Sequence, residues 1–268
     1  SSISANPVIT AGGMQVIFAE ANDGVNTRLD SVKFFVSAPP TVAPVPTGLV
    51  DGINYEPGDT SAILVFFAPG KNSVYVLGDF NNWTQAQQYQ MANSPDGNRH
   101  WVRITGLNPG TEYAYQFLVD ASMKVADYYT EKVLDPDNDP HISPLTYPGL
   151  KAYPTGKTTG IVSILQTRKP AFSWQVGNFN RPDKRNLMIY ELLVRDFTGA
   201  SNTQTLKDTL SYLKRLGINV IELMPVNEFE GNNSWGYNPS FYFAPDTYYG
   251  TEADLRCFID ARHQQDIA

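Results

Sequence analysis

The chain has 268 residues, 20 Lys and Arg against 27 Asp and Glu, and a formal net charge of −7. It carries no basic run, which excludes a nucleic-acid partner, because phosphate binding needs clustered Lys and Arg. No apolar run approaches the ~18 residues of a membrane span, and the single Cys257 excludes an intrachain disulfide or a cysteine-built zinc site.

The length allows one to three domains. Aromatics make up 12% of the chain, with 15 Tyr and 4 Trp; such rings suit sugar faces and equally fill β-sandwich cores. No signal peptide is visible and the chain starts at Ser1, so trimming at both ends is expected. In chain order, residues 1–38 form a partial β segment. Its strand-like runs, Gln15–Ala19 and Ser31–Val36, flank an Asn22-Asp-Gly turn signal. Residues 39–49 are a Pro-rich linker, extended and semi-rigid.

Residues 50–150 read as an all-β, immunoglobulin-like sandwich. Ala62–Phe67, Ser73–Leu77, His100–Ile104 and Tyr113–Val119 are short β-branched or aromatic runs separated by Pro-Gly and Asp-Gly signals. Residues 151–186, rich in Pro and Gly, read as a packed connector that holds the strand-like run Gly160–Leu165. At residue 187 the pattern changes. Leu187–Val194 is a near-continuous apolar run, as in a strand buried on both faces. Leu206, Leu210, Leu213 and Leu216 form one helical stripe closed by Gly217. Asn219–Met224 is a second buried strand. Thr251 and Asp254 spell a capping box before a helix whose inner stripe is Leu255, Phe258, Ile259 and Arg262. Strand, helix, strand, helix predicts parallel pairing with right-handed crossovers.

Two resemblances coincide on these residues. Val74-Tyr-Val-Leu-Gly-Asp-Phe-Asn-Asn-Trp83, with Tyr113–Asp120, resembles the family 48 carbohydrate-binding module. Met188–Phe197, Leu216–Val226, Trp235-Gly-Tyr-Asn-Pro239 and Phe243-Ala-Pro-Asp246 resemble strands 1 and 2 and the following loop of the α-amylase superfamily, glycoside hydrolase family 13. The combination is similar to secreted multidomain bacterial amylases of Bacteroidetes type. The fold implied is a multidomain one: an immunoglobulin-like sandwich followed by the beginning of a (β/α)8 TIM barrel, with residues 187–268 as its first two β/α units.

The function implied is that of an α-glucan-active retaining glycoside hydrolase, whose partner is a starch-, glycogen- or maltodextrin-like glucan. The resemblance places the catalytic carboxylates past Ala268, so none is assigned in this chain and these residues alone are expected to be inactive. A fragment of this kind should expose the flanks of Met188–Val194 and Val220–Met224. The resemblance implies a structural calcium only in the longer enzyme, and no cofactor or metal is assigned here. His100, His141 and His263 are dispersed, without ligand spacing. The resemblance also implies export to the periplasm or cell surface, with a cytoplasmic place as the alternative. It does not address oligomeric state.

The substrate-contact candidates are Tyr237, Trp235 and Trp83. The resemblance makes Tyr237 a ring that stacks on sugar beside the scissile bond. Trp235 reads more as structure of the same loop, which Asn238 and Pro239 shape. Trp83 matches a glucan-stacking tryptophan, yet two accompanying contacts of that module are replaced here by Gln116 and Met123. Arg195 and Asp196 read as a buried ion pair that positions loops, with Glu191 nearby. The resemblance argues against a catalytic role for Glu222, and Glu228 and Glu230 read as solvated loop charges. Three alternatives stay open: a 1,4-α-glucan branching enzyme, a non-catalytic glucan-binding protein, and a structural β-sandwich without sugar contact.

Overall fold

The computed structural model describes residues 8–9 and 12–268. The start of the 1–38 segment therefore lies partly outside the described residues. β1 (Gly13–Asn22) and β2 (Thr27–Val36) pair antiparallel over ten rungs, longer than their apolar runs. The Asn22-Asp-Gly turn forms as its chemistry dictates: Gly24 N donates to Asn22 Oδ1, and Val25 N and Asn26 N donate to Asp23 Oδ1. The base of the hairpin meets the sandwich where the Phe35 ring stands edge-on to Tyr75 and Ser37 Oγ bonds Tyr75 Oη at 2.7 Å.

The linker is extended, and it is pinned to the sandwich. Ala43 N donates to Asn93 O, Asn93 N to Thr41 O, and Trp101 Nε1 to Ala43 O at 3.1 Å. The next strands are β3 (Gly52–Tyr55), β4 (Ser61–Phe67), β5 (Val74–Gly78), β6 (Ala92–Asn93) and β7 (Arg99–Thr105). After them come β8 (Glu112–Val119), β9 (Met123–Val125), β10 (Val133–Leu134) and β11 (Val162–Gln166). They form two sheets, β3-β4-β7-β6 and β10-β11-β8-β5, with β9 added to β8. The run assigned to the connector is thus a strand: β11 pairs antiparallel with both β8 and β10, and the sandwich extends to Gln166.

Strand alternation explains the core. Leu64, Phe66, Val74, Val76, Val102, Ile104, Tyr115, Phe117 and Leu165 point between the sheets, where Phe66 stacks on Phe117 at 4.2 Å. The opposite faces of β5 and β8 are buried too. Tyr75, Leu77, Ala114 and Leu118 pack with Val162 and Ile164 and with Leu150 and Tyr153 of the connector. Two covered faces make β5 and β8 apolar almost throughout.

The α/β part follows. It comprises β12 (Ile189–Leu192), α1 (Val194–Phe197), α2 (Thr203–Asp208), α3 (Leu210–Arg215), β13 (Val220–Leu223), β14 (Asn227–Phe229), β15 (Pro239–Pro245) and α4 (Glu252–Gln264). β12 and β13 pair in parallel, as the strand–helix–strand order predicts. Ala268 continues this edge: its N donates to Asn219 O, and its O accepts from Ile221 N at 2.9 Å.

Two details correct the sequence reading. The stripe expected of one helix is carried by two, because Thr209 turns back and its Oγ1 donates to Leu206 O at 2.7 Å. Leu206, Leu210 and Leu213 still reach the same core, with Phe258 and Ile221, whereas Leu216 is exposed. The run Leu187–Val194 is not buried on both faces: Ile189 is 52% exposed, since this side of β12 has no cover among the described residues. Arg195 and Asp196 belong to the single helical turn α1. The expected capping box at α4 is present, with Thr251 Oγ1 accepting from Asp254 N and Asp254 Oδ2 from Thr251 N.

One close approach sets the junction between β3 and the segment before β10. Gly52 has φ +95°, and a Cβ there would sit 2.6 Å from Tyr129 Cβ. Gly52→Ala is expected to destabilise the protein by about 2 kcal/mol, read as a lower urea midpoint. An unchanged midpoint would show that the junction yields freely.

Candidate functional site

The C-terminal ends of β12 and β13 define one face of the α/β part, where parallel strands present their functional loops. The loop after β13 does not run straight into α4. It folds into the antiparallel hairpin β14–β15, whose tip carries Ser234–Asn238. Trp235 and Tyr237 lie on this tip with 63% and 65% of their surfaces exposed. Two rings free of core packing are available to a ligand face.

The tip is held by polar contacts. Gly236 N donates to Ser234 Oγ at 3.0 Å, and Ser234 Oγ donates to Asn238 Oδ1. Arg195 reaches across from α1 and donates to Asn233 Oδ1 at 2.6 Å and Ser234 O at 3.3 Å. It also pairs with Asp196 through two bonds of 2.7 and 2.9 Å. This ion pair does position a loop, but it is not buried, because the Asp196 side chain is 60% exposed. Glu191 is exposed and takes no part in it.

Glu228 reverses its expected place. It is buried at the base of the hairpin, where Oε2 accepts from Thr247 N at 3.1 Å. Asp246 is buried beside it and accepts from Phe229 N at 3.2 Å and Tyr248 N at 2.8 Å. Burial, together with the proximity of the two carboxylates, raises the pKa of Glu228, and burial raises that of Asp246. The backbone amides at the turn 247–249 are what make burying these groups tolerable. Glu230, in contrast, is exposed as expected. The hairpin also meets the sandwich: Phe241 and Ala244 pack on Val133, and Asn232 Nδ2 donates to Asn138 O.

Trp83 lies elsewhere and is enclosed. It is 8% exposed, within the cluster that Leu150 and Tyr153 flank, and its Nε1 donates to Asp79 Oδ1 at 3.0 Å. Lys151 of the connector pairs with Asp79 at 3.1 Å. Gln116 is likewise buried: Nε2 donates to Thr159 O and Ile161 O, and Oε1 accepts from Thr158 Oγ1. Met123 is exposed on β9. The structure therefore brings Trp235 and Tyr237 together and leaves Trp83 under the connector, with no open ring face. The polar side of Gln116 was the available signal, since a buried amide must find partners.

Sequence reasoning missed Asp246 as the partner of Glu228. It also missed Tyr249, which is buried with its hydroxyl unpartnered. Among the described residues, no group of three or more His, Cys, Asp and Glu is arranged to hold a metal ion. Among the described residues, no helix is long and apolar enough to cross a membrane.

Two outcomes follow from the loop. Gly236 has φ +84°, and a Cβ there would meet Pro225 O. Gly236→Ala is expected to cost about 2 kcal/mol and to shift the NMR signals of the tip residues; signals that stay in place would dissociate the tip from this contact. The carboxylate pair has the sign of raised pKa values. Its contribution is full below the unfolded carboxyl range of about 4 and is lost as pH rises through the raised values. Glu228→Gln mimics the protonated form, so its stability relative to wild type should improve by about 1–2 kcal/mol from pH 5 to pH 9 in urea unfolding. A pH-independent difference would contradict the coupling.

Comparison with known proteins adds the following. Residues 62–138 match a family model described as the glycogen recognition site of AMP-activated protein kinase. The 1,4-alpha-glucan branching enzyme GlgB of Bradyrhizobium sp. (strain BTAi1) is 27% identical over 225 residues, which cover 82% of this chain and 28% of that protein. Malto-oligosyltrehalose trehalohydrolase of Saccharolobus solfataricus is 31% identical over 109 residues, 41% of this chain and 19% of that protein. The putative alpha amylase from Salmonella typhimurium superposes with a TM-score of 0.62 at 24% identity, covering 81% of this chain and 32% of that one. A GBS pullulanase solved with maltotetraose superposes with a TM-score of 0.60 at 18% identity, covering 82% of this chain and 33% of that one. This chain thus spans about a third or less of these proteins' lengths. Over most of its residues the chain is similar to the N-terminal region of glycoside hydrolase family 13 enzymes, with a β-sandwich that includes a glycogen-recognition-type module.

Proposed function

We propose that this chain is the accessory and substrate-positioning region of an α-glucan-active enzyme. The observation that carries the reading is the exposed Trp235–Tyr237 tip beyond the C-terminal end of β13, fixed by Arg195 from the end of β12. An exposed Tyr there offers a flat apolar face to a sugar ring and holds it for attack. In the family 13 reading the chemistry is retaining. One carboxylate attacks the anomeric carbon, a second about 5–5.5 Å away protonates the leaving oxygen, and water resolves the intermediate. This reading assigns both carboxylates to strands that would follow β13, and none to Glu222, Glu228 or Asp246. Export to the periplasm or cell surface is part of the same proposal and rests on resemblance.

A second reading, glucan branching, is favoured by one observation: branching enzymes align with 75–82% of this chain. In that case another glucan, in place of water, resolves the intermediate.

Native electrophoresis in gels containing glycogen tests the glucan reading. The protein is expected to be retarded, and Tyr237→Ala is expected to weaken its retention about tenfold, the loss of one aromatic contact. Unaltered mobility in glycogen, amylopectin and maltodextrin alike would sink it. For the natural gene product, release of reducing ends points to hydrolysis, and new α-1,6 linkages without that release point to branching.

A further inference from the structure

We propose a second α-glucan site in the groove between the linker, the sandwich and β15, built on other residues than Trp83 and the Trp235–Tyr237 tip. It rests on the α-glucan reading above. The groove encloses about 800 Å³, within the usual range of ligand sites. Its aromatic wall is Tyr129 and Phe243, whose rings stack at 5.3 Å and 25°. Phe243 keeps 57% of its surface exposed, so one ring face remains open. The platform is built into the fold. Asp127, buried, accepts from Tyr129 N at 2.9 Å, and Gly52 makes room for the Tyr129 Cβ.

The polar lining identifies the class of ligand. Arg99 is engaged by Asp51 through bonds of 2.7 and 3.0 Å. Glu131 pairs with Lys169 at 3.1 Å; Lys169 also pairs with Glu252, which Arg256 pairs in turn, so the four charges balance. An ionic ligand would have to break one of these pairs, whereas hydroxyl groups bond to their outer edges without separating them. Tyr55 accepts from Gln166 N at 3.2 Å, which leaves its own proton to donate into the groove. Flat rings beside planar, already neutralised polar groups suit a neutral polyhydroxylated chain. The adjoining cleft, of about 290 Å³, shares Tyr55 and Glu131 with the groove and extends it toward the start of α4. A run of several sugar units therefore fits better than one.

Titration calorimetry with maltoheptaose tests this on the whole chain. Phe243→Ala removes the open ring. Val50→Arg, at an exposed lining position, fills the groove without touching the core. Both are expected to weaken one class of binding about tenfold or more, with melting temperatures close to wild type for Val50→Arg, while Tyr237→Ala leaves that class intact. If both groove variants bind as wild type and only Tyr237→Ala loses affinity, the groove is no site and the tip reading stands. If Val50→Arg retains wild-type binding while Phe243→Ala loses both affinity and stability, Phe243 is a packing residue and the inference falls. If wild type takes up no maltoheptaose at millimolar concentration, the inference also falls; retention by glycogen in the gel then decides the tip reading separately.

Discussion

Two carboxylates at the base of one hairpin hold most of the functional geometry. Glu228 and Asp246 lie on opposite sides of β14–β15: Glu228 accepts from Thr247 N across the hairpin, and Asp246 accepts from Phe229 N across it and from Tyr248 N of its own turn. From this joint the chain leaves in three useful directions. The tip rises to Trp235 and Tyr237, β15 turns Phe243 toward the sandwich, and the 247–249 turn delivers Thr251 to cap α4. A buried pair of carboxyl groups is an expensive way to make such a joint. Apolar residues would have filled the same volume, but they would have left the amides of Phe229, Thr247 and Tyr248 without acceptors.

The sandwich shows a second economy of polar groups. Its outer face is closed by the connector through Gln116, Asp79 and Lys151. The Trp83 ring lies beneath this cover with its N–H committed to Asp79. A module of glycogen-recognition type here carries the connector on the side of the sheet that holds its tryptophan. The burial of β5 and β8 on both faces follows from that arrangement.

Much of this was legible in the residues. The long sandwich strands declare themselves as β-branched and aromatic runs between Pro-Gly or Asp-Gly turns, and the α4 cap by Thr251 and Asp254. The short strands β6, β9 and β10 were not legible, because two or three residues carry no period. β11 was visible as a run but assigned to the connector, since its partners are set by tertiary pairing. The break at Thr209 was hidden because the leucine stripe continues across it. At the candidate site, Tyr237 could be named from its motif. The burial of Glu228 could not be, since a lone Glu in a loop is ordinarily solvated and its partner Asp246 arrives only after the hairpin closes. The enclosure of Trp83 depends on Leu150 and Tyr153, which nothing local links to it.

The β1–β2 hairpin has the proportions of a lever. Ten residues per strand give an arm of about 30 Å, and its described contacts with the sandwich gather at Phe35, Ser37 and Tyr75. A tilt of about 10° at that pivot would carry the tip through roughly 5 Å. Any load applied at Val25 therefore reaches Tyr75, and through it the face of β5 packed under the connector, magnified in torque by the length of the arm.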